Sequence, residues 1–133
     1  MEDIPPEKAF AFIPHKLVMS ADKANNGEIG FVLYKFPHLF EERSDSEDLI
    51  LYVYCLYEKL KGSKSFWFPY FLTSQGMDIL MFWDDASLDE LQDPVLKHRV
   101  RKDKEKFQED WEEVYRAIKN YPTFFKGTKF SLE

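Results

Sequence analysis

The stretch Ser44-Asp45-Ser46-Glu47-Asp48-Leu49-Ile50-Leu51-Tyr52-Val53-Tyr54-Cys55-Leu56-Tyr57-Glu58-Lys59-Leu60-Lys61-Gly62 decides how this chain is read. Its centre, Leu49 to Tyr57, is apolar on every side, so periodicity alone fits a buried strand as well as a buried helix. The ends separate the two. Ser44 and Glu47 stand at capping-box spacing, where a serine hydroxyl takes a free amide at a helix start and the glutamate returns to the cap amide. At the far end Lys59 and Lys61 place cations in a last turn, and Gly62 offers a glycine stop. The expectation is a helix, and a helix apolar all round belongs in the core of something larger.

Working outward toward the C-terminus, Val100, Phe107, Trp111, Val114, Tyr115, Ile118 and Tyr121 fall at helical spacing. They predict one long amphipathic helix from Val95 to Asn120, stopped by Pro122. Ser87-Leu88-Asp89-Glu90 repeats the capping-box pattern and predicts a short helix ending near Asp93-Pro94. Toward the N-terminus, Ser20 is placed to cap a helix whose apolar face is Ile29, Val32, Leu33 and Phe36. Gly27 and Gly30 weaken it, and Pro37 should end it. Ahead of it, Pro14 disfavours helix in the residue before it, so Ala9 to Ile13 reads as a strand, with Leu17-Val18-Met19 as a second short extended piece. The fold class expected is mainly α: short N-terminal β-strands, then a helical bundle with a long C-terminal amphipathic helix.

At 133 residues the chain has the size of one domain with one core, and no repeat or long linker divides it. Its net charge of -6 argues against phosphate-backbone binding, so no nucleic-acid partner is expected. The single cysteine, Cys55, forms no internal disulfide, which fits an intracellular compartment. The longest apolar stretch, Leu49 to Tyr57, is far below the roughly 20 residues that span a bilayer. The opening Met1-Glu2-Asp3-Ile4-Pro5-Pro6 lacks the basic flank and apolar core of a signal peptide. A soluble protein without a membrane role is expected.

Residue by residue, little here looks like chemistry. His15, His38 and His98 share no metal-ligand spacing, so they read as ordinary histidines. Cys55 lies in the most apolar helix, where a thiol stays protonated and inert. The pairs Asp84-Asp85 and Asp89-Glu90 fall where acids favour a helix start, and capping is the better reading than acid-base work. The cations from Lys97 to Lys106 are followed by Glu109, Asp110, Glu112 and Glu113, as on a solvated helix face laced with i, i+4 pairs. No phosphate-binding glycine loop occurs. The aromatic run Phe66-Trp67-Phe68-Pro69-Tyr70-Phe71 could line a ligand site, and core packing is the more common use of such a run.

Function comes from a resemblance. Phe12-Ile13-Pro14-His15-Lys16-Leu17-Val18-Met19-Ser20 is followed by Tyr57-Glu58-Lys59, then by Ser65-Phe66-Trp67-Phe68-Pro69-Tyr70, then by Phe82-Trp83 before Leu88-Asp89-Glu90-Leu91-Gln92. In this order the pieces resemble the SET-domain lysine methyltransferases of the Rubisco methyltransferase type, over roughly Ala9 to Phe125. The resemblance implies that residues 1–19 are a remnant of the N-terminal SET β segment. Residues 20–133 then correspond to the helical insertion between the two SET halves. It implies S-adenosylmethionine as cofactor, with Lys8, Ala9 and Phe10 at the matching cofactor-contacting positions, although family members often carry glutamate where Lys8 stands. The family's glycine-rich segment, its Asn-His motif and its channel tyrosine are expected to lie outside these residues. No catalytic residue is therefore carried over, no metal is implied, and weak or no cofactor binding is expected of this chain alone.

Two functions follow as expectations. One is part of a protein N-methyltransferase, acting on a lysine or alternatively a histidine of a protein substrate, in which these residues supply scaffold and substrate-side helices. In that family the deprotonated amine attacks the sulfonium methyl in line, helped by orientation and carbonyl contacts. The other is a stand-alone helical protein-interaction module derived from the insertion, whose exposed apolar patches seek a partner.

Overall fold

The computed structural model describes residues 11–74 and 79–126. Its regular elements are helices: α1 (Ala21–Asn25), α2 (Gly30–Leu33), α3 (Pro37–Phe40), α4 (Ser46–Leu60), α5 (Phe68–Thr73), α6 (Asp85–Glu90), α7 (Pro94–Ile118) and α8 (Pro122–Phe125). The protein is mainly α, and α4 is its axis.

Helices α1, α3 and α8 pack against α4. Leu49, Ile50, Val53 and Tyr57 of α4 meet Ala24, Ile29, Leu33, Leu39 and Phe40 from the preceding elements. Val114, Ala117, Ile118 and Phe125 close the core from the C-terminal side. Leu88 of α6 and Val100 of α7 are buried outside this cluster. Burying each of these large apolar side chains contributes roughly 1.5–3 kcal/mol.

The helix starts follow side-chain chemistry. Ser20 caps α1, its hydroxyl accepting from the Lys23 amide at 3.4 Å. Asp93 caps α7, accepting from the Val95 and Leu96 amides at 3.0 and 2.9 Å. Pro37, Pro94 and Pro122 each sit at the first turn of a helix, where a missing N–H costs nothing. Pro37 and Pro122 thus begin α3 and α8 after the preceding helices have already stopped, at Leu33 and Ile118.

Five expectations need correction. No strand occurs among the described residues. Of the predicted strand Ala9 to Ile13, positions 9 and 10 lie outside the described residues. Ala11 to Ile13 are irregular and exposed, Phe12 to 89%, with no neighbouring strand to bond. His15–Leu17 is a 3-10 turn, with Val18 extended at its end. The predicted helix after Ser20 is broken into α1 and α2, because the chain turns through Asn26 to Ile29 and brings Gly30 hard against the Asn25 carbonyl. The Ser44 capping box does not form: Asp45 occupies the cap of α4, and its carboxylate is turned to Arg43 instead of to the helix amides. In the same way Asp84, not Ser87, caps α6, taking the Ser87 amide at 2.7 Å.

Helix α4 ends as its sequence requires. Lys61 is the last residue of helical conformation, and Gly62 follows at φ 56°, the left-handed conformation that favours glycine. Its apolar circumference is not wholly buried: Tyr52 is 52% exposed and packs edge-on against Phe107 of α7, ring centroids 6.1 Å apart.

Candidate functional site

The aromatic run lies just beyond Gly62, where α4 hands over to α5. Glu58, buried near the end of α4, accepts from the Ser65 hydroxyl at 2.5 Å and from the Lys61 ammonium at 2.9 Å. The same Ser65 oxygen accepts the Trp67 amide at 3.0 Å. A charged acceptor makes such bonds stronger than neutral ones, so the loop is clasped to α4 at one point. Glu58 and Ser65 are both buried, which leaves the hydroxyl as a fastening and not as a nucleophile a substrate could reach.

From this clasp the aromatic side chains turn outward. Phe66 and Tyr70 are 64% and 55% exposed, and Trp67 is half-buried. Their rings meet edge to face, Phe66 to Trp67 at 5.2 Å and Trp67 to Tyr70 at 6.5 Å, the geometry that ring quadrupoles favour. The expectation of core packing is therefore overturned for Phe66 and Tyr70. Lys23 of α1 holds the other side. Its ammonium lies 5.6 Å from the Trp67 ring centroid and donates to the His15 and Val18 carbonyls at 2.7 and 2.6 Å. One lysine thus joins the N-terminal turn to the aromatic run.

Behind this surface, Tyr57 donates its hydroxyl to Glu28. Burial first, and then the Glu28 hydrogen bond, hold the Tyr57 hydroxyl well above the ordinary tyrosine range. Cys55 is half-buried with its thiol 3.9 Å from the Met19 sulfur, and burial pushes its pKa up, as expected of an inert thiol.

No protein-family model, curated protein or solved structure matches the chain.

A second concave region surrounds Phe82 and Trp83. An open cleft of about 650 Å³ is lined by Phe82, Trp83, Asp84, Ser87, Glu90 and Leu91 among others. A neighbouring one of about 370 Å³ reaches Lys104 and Phe107 of α7. Two of the carboxylates beside them are already engaged. Backbone amide donation from Ser87 holds the Asp84 carboxyl below the usual range, and hydrogen bonding to Arg101 does the same for Asp89. The capping role expected for the Asp84-Asp85 pair is filled by Asp84, and Lys104 donates to the Trp83 carbonyl. Two i, i+4 pairs on α7 appear as expected, Arg99 to Asp103 and Arg116 to Glu112. Other cations of α7 cross to neighbouring elements: Lys97 and Arg101 to Asp89, and Lys106 to Asp45.

Lys8, Ala9 and Phe10, the positions matched to cofactor contacts, lie outside the described residues. His15, His38 and His98 are exposed and widely separated in the chain. Among the described residues no group of three or more His, Cys, Asp or Glu side chains is placed to hold a metal, and no helix is long and apolar enough to cross a membrane. Sequence reasoning singled out the aromatic run but missed Glu58 and Lys23, the two residues that fix it. A carboxylate ending the most apolar helix of the chain was the available signal for Glu58.

Proposed function

We propose that these residues form the helical, substrate-side part of a SET-type protein N-methyltransferase and transfer no methyl group by themselves. The observation that supports this reading is the ordered set of sequence pieces from Phe12 to Gln92, which falls on a helical scaffold with Phe66 and Tyr70 displayed on its outside. An inserted helical body needs apolar surface of this kind to seat against its neighbours. Among the described residues the clefts beside Trp83 are open, and of the charged groups around them Asp84 caps α6 and Arg101 pairs with Asp89. No step of methyl transfer is assigned to them. The cofactor and the base belong, in this reading, to other segments of the enzyme.

Calorimetric titration with S-adenosylmethionine tests the division of labour. Weak or absent binding is expected, and nanomolar binding would place a complete cofactor site within this chain. The reading frame on either side tests the family itself. A glycine-rich segment before these residues and an Asn-His motif after them are expected, and the absence of both would overturn the methyltransferase reading. The exposure of Phe66 and Tyr70 also favours a second reading, a helical protein-interaction module without an enzyme attached.

A further inference from the structure

We infer that the surface around Phe66 and Tyr70 docks a short acidic segment of a partner protein that carries a bulky apolar side chain. Charge points to the acidic character. Residues 15–23 and 58–74, which meet at Lys23 and Trp67, carry Lys16, Lys23, Lys59, Lys61 and Lys64 against two acids, Asp22 and the buried Glu58 that pairs with Lys61. The whole chain has a net charge of -6, so this is a basic spot on an otherwise strongly acidic molecule. Lys16, Lys59 and Lys64 are exposed and make no ion pair among the described residues. On α7, Lys97, Arg99, Arg101 and Lys106 have carboxylate partners and Lys104 donates to the Trp83 carbonyl, which leaves Lys102 without an ion pair among the described residues.

The apolar anchor follows from the rings. Phe66 and Tyr70 flank Trp67 edge to face, and the Glu58–Ser65 clasp and Lys23 hold that arrangement in the free protein. A surface fixed before binding loses little entropy on receiving a side chain. Size decides the class of partner. An anionic membrane or a polynucleotide extends well beyond the screening length of about 8 Å at physiological salt and would also face the acidic remainder of the chain. A short peptide touches the basic spot alone. The inference concerns binding only and holds with or without the methyltransferase reading.

Fluorescence polarisation of the full chain with a labelled peptide, a Leu-Phe pair flanked by glutamates, tests it. Saturable binding is expected with Kd in the range of about 10–100 μM, weakening as salt is added. Lys16→Glu combined with Lys64→Glu should weaken it at least about tenfold, and Phe66→Ala combined with Tyr70→Ala by a similar factor. Lys102→Glu, on an exposed part of α7, should leave it unchanged. All the altered side chains are exposed, and far-UV circular dichroism checks the fold; the charge variants decide even if the aromatic ones unfold. No saturable binding, equal binding of a peptide with lysines in place of the glutamates, an equal loss in Lys102→Glu, or preferential capture by phosphatidylserine vesicles would each overturn the inference. The S-adenosylmethionine titration is unaffected by any of these outcomes, so failure here and failure of the methyltransferase reading are separable.

Discussion

Glu58 shows what one buried carboxylate can organise. It stands near the end of a helix whose middle is apolar, and it ties down Ser65 and, through Ser65, the Trp67 amide. Replacing it with alanine leaves the buried Ser65 hydroxyl without that acceptor and releases the start of the aromatic run. Glu58→Ala should lower unfolding free energy by about 1–3 kcal/mol, with Glu58→Gln, which keeps an acceptor, losing less. Urea denaturation gives the energies, and near-UV circular dichroism reports whether the aromatic packing loosens with it. A loss under about 0.5 kcal/mol would mean that the loop is held by its other contacts.

Among the elements, α4 and α7 were legible nearly to their ends, because what determines them is local. Gly62 and the lysines before it mark the end of α4, while Asp93, Pro94 and a helical stripe of apolar residues mark α7. The cap of α4 was misread since the acceptor at the helix start has a competing partner, Arg43, that its spacing does not reveal. The N-terminal strand failed because a strand needs a neighbour, and residues 11–19 have none among the described residues. The aromatic run was visible as a feature but its exposure was not, since that depends on Glu58 and Lys23 meeting it from distant positions. The break between α1 and α2 is the sharpest constraint at this scale. A Cβ at Gly30 would run into the Asn25 carbonyl group, whose carbon would be only 2.8 Å away. Gly30→Ala should therefore cost at least the upper part of the about 1–3 kcal/mol typical of overpacking, seen as a fall in thermal midpoint. Gly62→Ala meets open space and only the left-handed backbone cost of about 1 kcal/mol.

Across the whole molecule, Arg43 links the loop before α4 to the second half of α7. Its guanidinium reaches Asp45 at 2.8 Å, Asp110 at 2.5 Å and Glu113 at 3.1 Å, and Lys106 adds a contact to Asp45 at 3.2 Å. Hydrogen bonding to Arg43 holds the Asp45 carboxyl well below the usual carboxylate range. The folded protein thus takes up that proton less readily than the unfolded chain does. The contribution is complete above the ordinary carboxylate value of about 4 and is lost as pH falls from there through the lower folded value. Asp45→Asn should accordingly lower the thermal midpoint near neutral pH, and the gap from the wild type should narrow on acidification below about pH 3. An unchanged gap across that range would remove Asp45 from the acid response.

Helix α7 is seated unequally. Val114, Ala117 and Ile118 fasten its last turns into the core, whereas Val100 is the sole buried side chain of its first half. With 25 residues it is about 37 Å long, so its two ends lie in different surroundings. Backbone amides over residues 98–106 should exchange with deuterium at least about tenfold faster than those over residues 111–118, because the first half can fray while the core stays closed. α7 would then behave as a cantilever: anchored in the core at its C-terminal end, and held at the other end mainly by surface ion pairs to Asp89 and a hydrogen bond to the Trp83 carbonyl.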